Sequence, residues 1–145
     1  MLRFRRVDPS EADELCVGLA DIHLDALNVG MALGALDTMS RSALERWYHR
    51  VVAGLADRER VLVVAEEEGQ LARGRGIGRS LMANIEQVAG EYHVSLLWLT
   101  THADTEACAF YEAVGYTRLG TMPNYSRRPD GTLWPGAFYF KELAA

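Results

Sequence analysis

The chain has 145 residues, of which 49% are apolar and 24% are charged, so it is long enough and apolar enough to fold around its own core. Its apolar runs are all shorter than the roughly 18 residues of a membrane helix, and its first residues lack a signal peptide's apolar stretch, so we expect a cytoplasmic protein with no membrane partner. A net charge of −5 at pH 7 argues against a nucleic-acid partner, because phosphate contacts require a basic face.

The first elements in chain order are a strand and two helices. Apolar and basic residues alternate over residues 2–7, which is typical of a half-buried strand. Residues 8–11 supply a capping aspartate, a proline and an early acid, and they predict a helix that ends near Asn28. Residues 29–39 have no clear period and predict a loop. Ser40 predicts the N-terminal cap of a second amphipathic helix.

The remaining elements follow a β-branched apolar run at residues 61–65, which predicts a buried strand. Residues 66–69 predict the turn that leaves it. The pattern then predicts a helix, a strand, a short helix and two strands joined by a turn: residues 81–89, 94–100, 104–113, 116–122 and 138–140, with the turn at residues 129–131. With no internal repeat and no linker, this order predicts one α/β or α+β domain over residues 1–145, with a single mixed central sheet flanked by helices.

The cysteines and most histidines give no signal of a metal site. Cys16 and Cys108 lie far apart without CxxC spacing, so we predict buried free thiols rather than a disulfide or a metal centre. His23, His49 and His93 fall on the faces or ends of predicted helices and have no partner that the sequence identifies. We therefore predict no metal.

The segment from Arg73 to Gly78, Arg-Gly-Arg-Gly-Ile-Gly, has three interpretations. It is a flexible loop, a dinucleotide-binding turn, or an anion-binding loop at the start of a helix. The dinucleotide turn is disfavoured because its third glycine is misplaced and no acidic residue ends a strand about 20 residues later. A nucleoside-triphosphate loop is disfavoured because no lysine follows the glycines.

The third interpretation rests on the spacing Arg-x-x-Gly-x-Gly directly before an amphipathic helix. Glycines let the backbone approach a pyrophosphate, and the free N–H groups and positive end of the helix then face the anion. The segment resembles motif A of the GCN5-related N-acetyltransferases (GNAT family), which binds the pyrophosphate of acetyl-coenzyme A (acetyl-CoA). The resemblance implies a coenzyme-binding loop made of Arg73, Gly74, Arg75, Gly76, Ile77, Gly78 and Arg79.

A second segment, Ala107-x-x-Phe110-Tyr111-x-x-x-Gly115-Tyr116, resembles motif B of the same family. The resemblance implies that Tyr111 lies near the coenzyme's sulfur and is the general acid for the leaving thiolate. A phenol with a pKa of about 10 is chemically matched to a thiolate of similar basicity. The competing interpretation of Phe110 and Tyr111 is an ordinary pair of core aromatics.

The C-terminal third is similar to the tabtoxin-resistance-like acetyltransferases. The similarity lies in Phe110-Tyr111, Tyr116-Thr117-Arg118, Gly120, Pro123, Tyr125, Pro129-Asp130-Gly131, Leu133 and Tyr139-Phe140-Lys141. It implies direct acetyl transfer, without a covalent enzyme intermediate, to a small-molecule amine such as a toxin or an antibiotic. It also implies that residues 29–39 shape the acceptor pocket. Dimers are common in the family, so a homodimer is one expected partner.

The chain departs from the family immediately before motif A. Family members have a hairpin of a third and a fourth strand there, on the order of twenty residues, whereas residues 66–72 run directly into Arg73. Either the strand at residues 61–65 moves into the fourth strand's place, or the hairpin has been lost by truncation. The alternative to an active enzyme is an impaired domain that binds coenzyme A or a dimer partner.

The family often takes its general base from that fourth strand, so this chain needs another. Glu66, Glu67 and Glu68 are candidates if the strand moves, although an exposed acidic turn is the plainer interpretation. His102 is a further candidate, because an imidazole is the natural base near neutral pH. An ordinary loop histidine is the competing interpretation.

Overall fold

The computed structural model of the chain describes residues 1–28, 39–72, 74, 76–128 and 130–144. The predicted loop at residues 29–39 lies outside this part except for Met39, and so do Arg73, Arg75 and Pro129. The chain divides into two compact units, Met1–Asn84 and Ile85–Ala145, and a single domain over residues 1–145 stays a prediction. Within the described part, none of the helices is long and apolar enough to cross a bilayer.

The first unit begins with the predicted strand and helices. Its elements are β1 (Leu2–Arg6), a 3₁₀ helix (Pro9–Leu15), α1 (Cys16–Asn28), α2 (Arg41–Ala53), β2 (Val63–Glu67) and β3 (Gln70–Leu71). Both predicted caps are confirmed. The Asp8 side chain accepts from the Ser10 N–H at 2.9 Å, and the Ser40 hydroxyl accepts from the Ala43 N–H at 3.2 Å. Each cap satisfies an N–H group that the start of a helix leaves unpaired.

β2 lies between β1 and β3 in an antiparallel three-stranded sheet, with Phe4 opposite Ala65 and Glu67 opposite Gln70. Its buried Val64 packs in a core with Val7, Cys16, Val52 and Leu55. β2 therefore keeps the place next to the first strand, and the described strands give no support to its movement into the fourth strand's place. What precedes the glycine loop is a strand of two residues, β3.

The second unit contains an antiparallel sheet whose central strand is the last one in sequence. Its strand order is β4–β6–β5. Helix α3 (Gly78–Glu91) leads into this unit, which continues with β4 (Leu96–His102), α4 (Glu106–Ala113), β5 (Thr117–Arg127) and β6 (Leu133–Glu142). The predicted α+β class is confirmed. The described strands form two antiparallel sheets rather than the single mixed sheet that we predicted.

The register of β4 on β6 assigns side chains to two faces of this second sheet. Thr100 lies opposite Phe138 and His102 lies opposite Gly136, whereas Leu99 lies opposite Tyr139. Because successive strand residues point to opposite faces, one face carries Trp98, Thr100, His102, Phe138 and Phe140, and we call it the aromatic face. The other carries Leu97, Leu99, Tyr139 and Lys141 and contacts α3 and α4 through hydrogen bonds, so we call it the helix face.

The backbone conformation of the turn between β2 and β3 leads to a testable prediction. Glu68 and Gly69 both have positive φ, 54° and 79°, as a two-residue type I′ hairpin turn requires. Asparagine tolerates this conformation better than glutamate does. We expect Glu68→Asn to raise the free energy of unfolding by about 0.5–1 kcal/mol, measured by chemical denaturation. Glu68→Gln is the matched control, because it removes the same charge; equal stabilities of the two variants would contradict the turn geometry.

Candidate active site

The predicted coenzyme loop is a tight turn at the start of α3. Gly74 and Gly76 have φ values of 71° and 74°, where side chains with a Cβ atom are strained. The Ile77 N–H donates to the Gly74 carbonyl at 3.2 Å, and the Ile77 carbonyl accepts from the Leu81 N–H at 2.9 Å. Ile77 is buried and the two glycines are exposed. The turn is thus anchored by one apolar side chain and presents its backbone to solvent.

Space over this turn is open. A Cβ atom added at Gly74 or at Gly76 would meet no heavy atom within 4 Å among the described residues. The glycines are therefore required by their φ values rather than by close packing. The first N–H groups of α3, a 14-residue helix, lack helical partners and carry its positive end. The exposed Arg79 adds a cation in the first turn. These features fit the pyrophosphate of a coenzyme.

Tyr111 lies on α4 in a cluster of aromatic rings. Its ring centroid is 5.3 Å from that of Phe110 and 6.0 Å from those of Tyr116 and Tyr139. Burial raises the pKa of Tyr111 above its usual value. Burial also raises the pKa of Tyr116 to about 12, with a further contribution from Glu86. Tyr111 is therefore a protonated donor at neutral pH, held by ring contacts on the side of the helix face.

His102 ends β4 on the aromatic face and has defined partners. Its Nε2 lies 2.9 Å from the Ser126 hydroxyl, and its ring stacks on Trp134 with centroids 4.6 Å apart and planes 9° apart. The Arg128 guanidinium lies 3.3 Å from the centroid of the same Trp134 ring. Burial and then the positive charge of Arg128 lower the pKa of His102 below its usual value. The imidazole is thus neutral near pH 7 and able to accept a proton.

Comparison with known proteins places these features in a family. Residues 59–116 match the model of the acetyltransferase (GNAT) family. This region is therefore similar to the GNAT family. The match runs through the glycine loop, Tyr111 and His102, and it confirms the resemblance predicted from motifs A and B. The roles of these residues and the similarity to the tabtoxin-resistance-like group stay predictions.

Solved structures of acetyltransferases are similar over nearly the whole chain, at identities that show the fold alone. A putative acetyltransferase from Acinetobacter baylyi has 20% identity and a TM-score of 0.77, with 99% of this chain and 93% of that chain covered. A putative acetyltransferase from Salmonella typhimurium, solved with acetyl-CoA, has 15% identity, a TM-score of 0.75 and coverages of 100% and 95%. A phosphinothricin acetyltransferase from Sinorhizobium meliloti, in complex with acetyl-CoA, has 16% identity, a TM-score of 0.77 and coverages of 99% and 89%.

The three glutamates that we predicted as candidates for the general base lie in β2 and in the turn that follows it. Glu66 accepts two hydrogen bonds from the Arg5 guanidinium, at 2.8 and 2.9 Å, and Arg5 also pairs with Glu11. This pairing lowers the pKa of Glu66, which makes it a weaker base. Glu67 belongs to β2 rather than to the turn we predicted, and Glu68 occupies the exposed hairpin turn. None of the three supports the role of base.

The fold gives two other histidines partners that the sequence did not reveal. His23 is 1% exposed, and its Nδ1 lies 3.1 Å from the Tyr48 hydroxyl. The Nδ1 of His49 lies 2.8 Å from Asp13. Cys16 and Cys108 are buried free thiols, as predicted. Sequence reasoning also missed Ser126 and Trp134 as partners of His102, because only strand pairing brings residues so distant in sequence together.

A glycine substitution tests the predicted coenzyme loop. We expect Gly76→Ala to weaken acetyl-CoA binding about 10-fold or more, because a methyl group and a strained φ disturb the backbone that faces the pyrophosphate. Gly69→Ala is the matched control, since Gly69 also has a positive φ and open space around an added Cβ. Isothermal titration calorimetry measures both affinities. Equal affinities would remove Gly76 from the coenzyme site.

Proposed function

We propose that the chain is an N-acetyltransferase that moves the acetyl group of acetyl-CoA to an amine of a small molecule, such as a toxin or an antibiotic. The observation that carries this proposal is the glycine turn at the start of α3, with positive φ at Gly74 and Gly76 and open space above both. Similar proteins solved with acetyl-CoA support the choice of coenzyme. A cytoplasmic location, a homodimer, and the absence of nucleic-acid and membrane partners stay predictions.

In this proposal the residues Arg73 to Arg79 bind the pyrophosphate, and the coenzyme supplies an acetyl thioester. The acceptor amine attacks the thioester carbonyl, so a nitrogen–carbon bond forms and the carbon–sulfur bond breaks. Tyr111 donates its phenolic proton to the leaving sulfur. Burial raises the pKa of Tyr111, and it would equally raise the basicity of a thiolate buried beside it, so donor and acceptor stay matched.

His102 accepts the proton that the amine loses. Its Nε2 faces the Ser126 hydroxyl, so Ser126 passes its own proton to Nε2 while it accepts the proton of the amine. Stacking on Trp134 holds the imidazole plane fixed. The lowered pKa keeps this base unprotonated at neutral pH. This assignment supplies the base that the shortened segment before motif A lacks.

The proposed general acid, Tyr111, and the proposed general base, His102, lie on opposite faces of the second sheet. Tyr111 contacts Tyr139 on the helix face, and His102 belongs to the aromatic face. Among the described strands, β4 pairs with β6 alone. The backbone groups on its other edge are the surface along which we propose that the thioester lies, so that the acid and the base approach the reacting carbon from different sides.

An impaired domain that binds coenzyme A or a dimer partner without catalysis is the second candidate. Its support is β3, which has two residues where GNAT proteins are expected to have a full hairpin. A thiol-release assay with a panel of amines, run beside calorimetry, distinguishes the candidates. Turnover with at least one amine supports the enzyme, binding without turnover supports the impaired domain, and the absence of binding overturns both.

Substitution of the proposed acid has a specific kinetic signature. We expect Tyr111→Phe to lower kcat about 100-fold or more while the Kd for acetyl-CoA changes little, because only the transferable proton is lost. Tyr92→Phe, which removes the hydroxyl of a tyrosine that is 46% exposed just after α3, is the control and should leave kcat unchanged. If Tyr111→Phe turns over at the wild-type rate, Tyr111 is only a core aromatic.

The proposed base predicts a shift in the pH dependence of kcat/KM. Arg128 lowers the pKa of His102, so Arg128→Gln should raise that pKa and move the acid limb of the profile to higher pH. His102→Gln should abolish the limb. Arg118→Gln removes the same charge at the start of β5 and should leave the limb in place. An acid limb that is unchanged in both Arg128→Gln and His102→Gln would exclude His102 as the base.

A further inference from the structure

Three metal-ligating side chains meet in the first unit, away from the glycine loop in sequence. Asp13 lies in the 3₁₀ helix, Cys16 begins α1, and His49 lies on α2. One ligand atom from each, a carboxylate oxygen, the Sγ and an imidazole nitrogen, lies within 4.8 Å of the other two. The Asp13 oxygen and the His49 Nδ1 are 2.8 Å apart. Neither the proposed reaction nor the motifs of the sequence use these residues.

Helical geometry explains why these side chains face one another. Asp13 and Cys16 are three residues apart, and Glu45 and His49 are four residues apart on α2, so each pair lies on one side of its helical segment. Asp13 and Glu45 contribute negative charge near the Cys16 thiol, and this charge favours a cation there.

We propose that Asp13, Cys16 and His49 bind a zinc ion, with Glu45 or a water molecule as the fourth ligand. Zinc takes thiolate, imidazole and carboxylate ligands together, in tetrahedral geometry. With metal–ligand bonds of about 2.0–2.3 Å, tetrahedral ligands lie about 3.3–3.8 Å apart. The distances between the ligand atoms here run from 2.8 Å to at most 4.8 Å. Side-chain movements of about an ångström would bring these atoms to the separations that zinc requires. On binding, Cys16 loses its thiol proton to solvent.

The three proposed ligands differ in how far they are buried. The Cys16 side chain is fully buried, whereas the side chains of His49 and Asp13 are 45% and 76% exposed. The metal would enter from solvent past the imidazole and the carboxylate and bind the thiolate as its innermost ligand. Such a site joins the start of α1 to α2 and stabilises the first unit, in the manner of a structural zinc site.

Cobalt is the spectroscopic probe for this site. The full chain without an affinity tag, freed of metal with a chelator, is titrated with Co²⁺, and thiolate-to-cobalt charge transfer is recorded in the near ultraviolet. Zinc is then titrated calorimetrically and by its effect on Tm. We expect one ion per chain, displacement of cobalt by zinc, and a Tm that rises with zinc concentration, because the ion binds the folded state.

Variants at the exposed ligands decide the assignment without disturbing the core. We expect His49→Gln and Asp13→Asn each to weaken zinc binding about 10-fold or more, with an unchanged circular dichroism spectrum. Cys16→Ser should remove the charge-transfer band. Cys108→Ser and His93→Gln are matched controls and should retain full binding.

Three results would overturn the proposal. They are a wild-type chain that shows no saturable binding of zinc, a zinc affinity that is unchanged in His49→Gln, and a charge-transfer band that disappears in Cys108→Ser instead of Cys16→Ser. The first two would leave Asp13 and His49 as a simple surface ion pair. Should Cys16→Ser fail to fold, the two exposed variants still decide, because neither side chain contributes to the buried core.

Discussion

The second unit depends on one partly buried ammonium group, that of Lys141. Its Nζ donates to both oxygens of Glu86, each at 2.8 Å, and to the Val114 carbonyl at 2.9 Å. All three N–H donors of the ammonium are thereby used. Because these partners belong to α3 and to the end of α4, a single side chain of the central strand joins both helices to the sheet. Lys141 is also the one lysine of the whole sequence.

The central strand β6 also separates the proposed acid from the proposed base, which lie on opposite faces of the sheet. Tyr139 is 1% exposed and donates to Glu112 at 2.9 Å, which holds α4 and therefore Tyr111 on one face. Gly136, on the other face, leaves room for the Tyr125 ring, whose atoms lie 2.5 Å from where a Cβ would be. Tyr125 crosses there to reach the Thr100 hydroxyl at 3.0 Å. Alternation along one strand thus separates the proposed acid from the proposed base.

Features encoded by neighbouring residues could be predicted from the sequence. The caps at Asp8 and Ser40 and the glycine turn before α3 depend on local backbone chemistry, and the α+β class follows from the order of elements. β6 is longer than predicted, because Pro135 and Gly136 are poor strand formers and concealed its first half. The pairing of His102 with Ser126, and that of Asp13 with His49, depend on tertiary contacts that no local pattern encodes.

The most direct test of the account is hydrogen–deuterium exchange of the full chain with and without acetyl-CoA. We expect slower exchange in the presence of acetyl-CoA at two places, the amides of residues 76–80 and the amides along β4. We expect no change in the hairpin turn at Glu68 and Gly69. Exchange that is unaltered at both predicted places, at saturating coenzyme, would contradict the proposal that acetyl-CoA contacts the glycine turn and the β4 edge.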